Sequence, residues 1–147
     1  MAWYQKLITL SAKKRGFHLV TDEILQQVPE IKQIEIGLMN VFIQHTSASL
    51  SINENAAPDV RVDMETIFNK LVPEDNSYQH LDEGKDDMPA HAKCSLLGAS
   101  INIPISSGRL AFEEWLEFET DVPYLQPFLA EIEREQTEEQ HWKKVLG

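Results

Sequence analysis

Ile34-Glu35-Ile36-Gly37-Leu38-Met39-Asn40-Val41-Phe42-Ile43-Gln44-His45 is the longest strand candidate in the chain. Branched and aromatic residues suit a pleated surface, and a run that is apolar at nearly every position needs cover on both faces. The stretch therefore predicts a central strand, with His45 at its mouth. Working outward, Trp3 to Leu10 predicts a strand, Lys13-Lys14-Arg15-Gly16 a turn and Phe17 to Val20 a second short strand. Thr21 is suited to cap a helix whose first turn holds Asp22 and Glu23, whose inner face is Ile24, Leu25 and Val28, and which Pro29 ends. Beyond His45, Pro58 suits the first turn of a helix carrying Val60, Met64, Ile67 and Leu71 at helical spacing, and Pro73 stops it. Pro89 opens another helix with Gly98 as its carboxy-terminal cap. Ala99 to Ile105 predicts a strand, Ser106-Ser107-Gly108 a hairpin turn, and Arg109 begins the returning strand. This order predicts an α+β fold, a single domain with a mixed, mainly antiparallel sheet and a few helices packed on it.

The last residues change period. Leu125, Phe128, Leu129 and Ile132 sit at i, i+3, i+4 and i+7, which predicts an amphipathic helix from about Asp121 and Pro123 with Glu131, Glu133 and Glu135 outside. Trp142, Val145 and Leu146 could extend its apolar side. Residues 110–147 hold ten acids and three bases, a net of −7 out of −11 for all 147 residues. The expected division is an α+β domain over 1–120 and an acidic helical tail over 121–147. Such a charge run reads as a solvated helix face or as a dock for a basic partner.

Composition narrows the function. A length of 147 residues suits one domain with a real core, and 42% hydrophobic content suits a globular chain. The net charge of −11 argues against non-specific nucleic-acid binding. No apolar stretch approaches membrane-spanning length, and a single Cys94 leaves no disulfide framework, so the expected setting is the cytoplasm. There is no Gly-x-Ser-x-Gly elbow beside Ser47, Ser49 and Ser51, no Gly-x-x-x-x-Gly-Lys phosphate loop and no Gly-x-Gly-x-x-Gly turn.

Three histidines carry the chemistry. His45 follows the central strand, while His80 and His91 bracket the acidic loop Leu81-Asp82-Glu83-Gly84-Lys85-Asp86-Asp87. Neutral imidazole is the commonest side-chain ligand for a borderline metal, and carboxylates complete or orient such sites. The spacing, which lacks a short-range pair, reads either as a metal centre or as scattered surface histidines. His91 and Ser95, four apart, share a helix face. Asp63 lies beside the buried stripe of its helix, as a boundary carboxylate or a site residue. Arg15, Arg61, Lys93 and Arg109 read as surface charges or as bases around an anionic ligand.

A family resemblance rests on motifs in a fixed order. They are Gln44-His45-Thr46-Ser47-Ala48-Ser49-Leu50, Asn53-Glu54-Asn55, Asp63-Met64-Glu65, His80 with Glu83-Gly84, and Asp86-Asp87-Met88-Pro89-Ala90-His91. With Trp3-Tyr4-Gln5-Lys6 and Arg15-Gly16-Phe17-His18, they make the chain resemble the YjbQ family, small α+β proteins described as secondary thiamine-phosphate synthases. The resemblance runs from about Trp3 to Arg109. The family then usually continues with Gly-x-Trp-Gln-Gly, where this chain has Glu113-Glu114-Trp115-Leu116-Glu117.

The resemblance implies that a hydroxymethylpyrimidine diphosphate joins a thiazole phosphate with release of pyrophosphate, in a homotrimer. It implies metal ligation by His45, His80 and His91, with Asp86 and Asp87 as ligands or supports. Asn53, Asn55, Asp63 and Glu83 would be catalytic, and Thr46, Arg61, Lys93 and Ser95 would meet a small anionic substrate. Imidazoles suit a zinc-like divalent ion, with magnesium, which prefers oxygen ligands, as the alternative. Beside the enzyme stand two other readings: a binding protein that holds an anionic ligand on its metal without turnover, and a scaffold whose tail makes the functional contact.

Overall fold

The structure, a computed structural model, describes residues 2–112, 116–121 and 128–134. Strand β1 (Ala2–Ile8) leads to β2 (Phe17–Leu19), helix α1 (Thr21–Gln27) and a 3-10 turn (Pro29–Gln33). β3 (Ile36–Ile43) and β4 (Ser49–Glu54) follow, then helices α2 (Asp59–Leu71) and α3 (Asp87–Leu97). β5 (Ser100–Ser106), β6 (Arg109–Leu110), β7 (Leu116–Asp121) and β8 (Phe128–Arg134) complete the order. The α+β class predicted from the sequence is the one observed.

The strands form two sheets, ordered β1-β8-β3-β5-β6 and β2-β7-β4, where a single mixed sheet was expected. Every pairing among the described residues is antiparallel. β3 is central, as its apolar run demands, held by β5 on one side and β8 on the other. Along it Met39, Val41 and Ile43 are buried, while Ile36, Leu38 and Phe42 are exposed. One core unites residues of both sheets: Ile8, Met39, Val41, Ile43, Ile103 and Ile105 from the first meet Leu50 of the second, with Ile24 and Ile31 closing the end.

The predicted tail helix is corrected over 128–134. That segment is a strand, with Leu129 opposite Phe42 and Leu7, and Ile132 opposite Met39 and Tyr4. A short run with apolar residues at both parities satisfies the helical and the strand period alike, and an open slot between β1 and β3 decides for the strand. Leu125, Glu135, Trp142, Val145 and Leu146 lie outside the described residues.

Two helices also depart from their patterns. Thr21 is the first residue of α1, not its cap, and Val20 precedes it without a side-chain cap. The stripe Val60, Met64, Ile67 and Leu71 was expected to be buried, yet no residue of α2 is, and Ile67 and Leu71 are exposed. Phe68 instead meets Phe17, ring centroids 5.6 Å apart. A polar clamp does the rest: Arg15 Nε donates to Glu65 at 3.1 Å, its guanidinium also reaches Asn69 and Glu74, and Lys93 Nζ donates to Asn69 Oδ1 at 2.8 Å.

The predicted hairpin turn is present. Ser107 and Gly108 both have positive φ, the backbone of a two-residue turn that matches strand twist. A Cβ at Gly108 would lie 3.0 Å from the Lys32 carbonyl oxygen, so the turn is seated directly on the chain entering β3.

A second clamp joins the β1–β2 connection to α1. Glu23 accepts from the Lys13 ammonium at 2.7 Å and from the Ser11 N–H. Burial pushes its carboxyl up, but Lys13 and Ser11 together hold it below the ordinary glutamate value. A depressed carboxyl stabilises the fold above its unfolded-state pKa, and that contribution disappears as pH falls through the folded value. Glu23→Gln is expected to cost about 1 kcal/mol at neutral pH. The gap to the parent should narrow as pH falls below the ordinary glutamate range, as followed by urea melts across pH.

Candidate functional site

α3 positions the site. Asp87 and His91 are one turn apart, on the side that meets the loop 79–86, and that loop brings in His80. His80 Nε2, Asp87 Oδ2 and His91 Nε2 all lie within 4.8 Å of one another. The carboxylate oxygen is 2.8 Å from His80 Nε2 and 3.2 Å from His91 Nε2, and the two rings are 5.6 Å apart at 60°. His80 is exposed, while Asp87 and His91 are half-buried.

The orientation of His91 is set from behind. Its Nδ1 stands 3.0 Å from the Thr46 carbonyl oxygen, which can only accept, so Nδ1 carries a proton. Nε2 is then the lone-pair nitrogen, aimed at Asp87 Oδ2. The two atoms, 3.2 Å apart, can both offer lone pairs to one cation. Two imidazoles and a carboxylate, with one imidazole steered by a backbone carbonyl, are a donor set that fits a zinc-like divalent ion. Three protein donors leave coordination positions for other ligands.

His45 stands apart from these donors, a correction to the expected three-histidine centre. Its Nδ1 accepts the Ser47 backbone N–H at 3.0 Å and lies 3.0 Å from Ser47 Oγ, so that nitrogen is turned back onto its own loop. Asp87 takes the third place instead. Asp86 is not among the converging donors; its backbone carbonyl accepts from Ala90 N–H at the start of α3.

His45 and His91 meet again in a cleft of about 680 Å³, lined also by Phe42, Gln44, Thr46, Cys94 and Ser95. Thr46 and Ser95, expected at the substrate, are therefore brought to the site. Ser95 Oγ donates to the His91 carbonyl at 3.0 Å, so its lone pairs face outward. Cys94 donates to the Ala48 carbonyl at 3.0 Å, and burial pushes its thiol up, which keeps it a packing group.

The other expected residues lie elsewhere. Lys93, two positions from His91, points across α3 to Asn69, and Arg61 Nη1 donates to Asn55 at 3.4 Å. Neither lines the cleft, and no Lys or Arg is among the described residues that do. Asn53 accepts from the N–H of Glu54 within β4. Asp63 and Glu83 are exposed, on α2 and on the loop before α3. Sequence motifs mark neighbourhood in the chain, whereas the periodicity of α2 and α3 sets which of these residues turn to the cleft.

The sequence profile of the UPF0047 protein YjbQ-like family matches residues 6–123, beyond the Arg109 at which the motif resemblance stops. UPF0047 protein YjbQ of Escherichia coli O157:H7 is 54% identical over 113 residues, spanning 77% of this chain and 82% of that protein. UPF0047 protein sll1880 of Synechocystis is 42% identical over 113 residues, 76% of each. A YjbQ/UPF0047-family protein of Clostridium acetobutylicum, of known structure, superposes with a TM-score of 0.70 at 29% identity, covering 88% of this chain and 98% of that one. A YbjQ-like protein of unknown function from Sulfolobus solfataricus superposes with a TM-score of 0.76 at 22% identity, covering 91% and 99%. In sequence and in fold alike, this chain belongs to the YjbQ-like UPF0047 family.

Proposed function

We infer that the protein is a metal-assisted enzyme for a small anionic substrate, of the thiamine-phosphate synthase type. The observation that carries this reading is the convergence of His80 Nε2, Asp87 Oδ2 and His91 Nε2 beside an open cleft. Bound there, a zinc-like ion would supply a Lewis acid and a counter-charge for phosphoryl oxygens. In the reaction proposed, the thiazole nitrogen forms a bond to the pyrimidine methylene carbon. The bond from that carbon to the diphosphate oxygen breaks, and its electron pair leaves with pyrophosphate.

The chain's own residues divide the remaining work. Thr46 holds His91 through its carbonyl, and Asp87 keeps the two imidazoles facing one point. Phe42, Ile43 and Ala99 give the cleft an apolar wall for a flat heteroaromatic ring. Because none of the described residues lining the cleft is Lys or Arg, a diphosphate there would draw its charge compensation from the metal. Turnover should therefore depend on metal completely. Thiamine phosphate formation is expected from purified protein with zinc and to vanish after chelation. Metal binding without product would favour the second reading, a metal-dependent binding protein for a small anion.

The reading includes self-association as a homotrimer. Its support is the outer face of the first sheet, where Trp3, Leu7, Ile36 and Leu38 are all exposed. Apolar side chains gathered on one sheet face suit burial against another chain. No described helix is long and apolar enough to cross a membrane.

A further inference from the structure

We propose that His45 is a hydrogen-bond donor to an oxyanion of the ligand, and not a ligand of the metal. The inference rests on the reading of His80, Asp87 and His91 as the metal centre, and it concerns another residue of the cleft that His91 lines. The Ser47 backbone N–H can only donate, and it meets His45 Nδ1 at 3.0 Å. A neutral imidazole has one lone-pair nitrogen and one N–H. With Nδ1 accepting, the proton sits on Nε2, and Nε2 is the nitrogen left for the cleft that His45 lines. For that Nε2 to bind a metal, the ring would have to move its proton to Nδ1 and lose the Ser47 N–H bond. His91 has the reverse tautomer, since its Nδ1 donates to the Thr46 carbonyl.

The two tautomers are set by one loop. Thr46 orients His91 as a ligand through its carbonyl, and Ser47 orients His45 as a donor through its N–H. Ser47 is buried and Cys94 Sγ anchors the same loop through Ala48, so the loop is held against α3. The hydroxyl of Ser95 is committed to the His91 carbonyl, and none of the described residues lining the cleft is Lys or Arg. This leaves His45 Nε2–H, with the Thr46 hydroxyl and the Gln44 amide, to receive an anionic oxygen. The ligand class is a phosphate-like oxyanion that also reaches the metal.

The experiment is nitrogen NMR on the full chain labelled with ¹⁵N-histidine, first metal-free, then with one equivalent of zinc, then with inorganic phosphate. His45 should show a protonated Nε2 and a bare Nδ1 throughout, and His91 the opposite. Zinc should shift Nε2 of His80 and His91 and leave His45 nearly still. Phosphate should then move the His45 Nε2–H. In parallel, His45→Phe should bind one zinc per chain as the parent does but bind phosphate roughly tenfold more weakly or worse, and His45→Gln, which restores a donor, should recover part of that loss. Should His45→Phe not fold, the NMR arms on the parent chain still decide. A bare His45 Nε2 that zinc shifts, or loss of zinc from His45→Gln, would overturn the proposal. Absence of zinc binding in the parent would instead overturn the reading of the metal centre, a result that the tautomer measurement on metal-free protein keeps separate.

Discussion

Asp87→Ala should weaken zinc binding by at least about 100-fold, measured by isothermal titration, while the circular dichroism of the variant stays that of the parent. The carboxylate is the point where the site closes, since its Oδ2 touches both imidazoles, at 2.8 and 3.2 Å. Without it, His80, on an exposed loop, loses the carboxylate that turns its ring toward His91, and the donors fall from three to two. The same change should cost the fold little. Asp87 is the first residue of α3, where a carboxylate gains roughly 0.3–1 kcal/mol from the helix dipole, and no core contact is lost. His91→Ala should be as severe for the metal and should also free the Thr46 carbonyl, loosening the loop that carries His45. An Asp87→Ala variant that binds zinc like the parent would remove the centre from the proposed mechanism.

How far the site was legible follows from what each motif encodes. The His80 to His91 segment is local: Pro89 starts a helix near Asp87, and four residues bring His91 over the carboxylate, so the convergence of these side chains could be read from the chain. His45 was expected as a third ligand, and the hydrogen bond from the Ser47 backbone N–H that turns its Nδ1 back onto the loop is one that no side-chain pattern records. Lys93 shows the same limit in reverse. Its proximity to His91 in sequence suggested a shared site, but two positions on a helix turn a side chain by about 200°, toward Asn69. In the fold, the apolar run of β3 announced a central strand correctly. β4 gave little signal, since Ser49 and Ser51 dilute its alternation. β8 was misread because its pairing with β1 and β3 is non-local, and periodicity in a short apolar segment carries both periods.

The register of β3 gives the second large effect, and neighbouring residues should behave in opposite ways. Met39→Ala removes a side chain with 0% exposure from the middle of the core, and Val41 and Ile43 beside it are equally enclosed. Truncating a buried methionine costs the transfer of its atoms plus the cavity it leaves, about 2–5 kcal/mol. That is a large part of the roughly 5–15 kcal/mol by which a domain of this kind is stable. The urea midpoint should fall accordingly, with the slope of the transition unchanged. Leu38, one residue earlier, points to the other side of the sheet and is 36% exposed. Leu38→Ala should leave the unfolding of the chain itself within about 1 kcal/mol of the parent. Its effect should instead appear in light scattering, as dissociation of the proposed trimer on dilution, and in a melting temperature that depends on protein concentration. If Leu38→Ala unfolds as readily as Met39→Ala at every concentration, the outer face is not an association surface. If Met39→Ala melts like the parent, β3 is not in the register described, because a one-residue slip exchanges every inward side chain for an outward one.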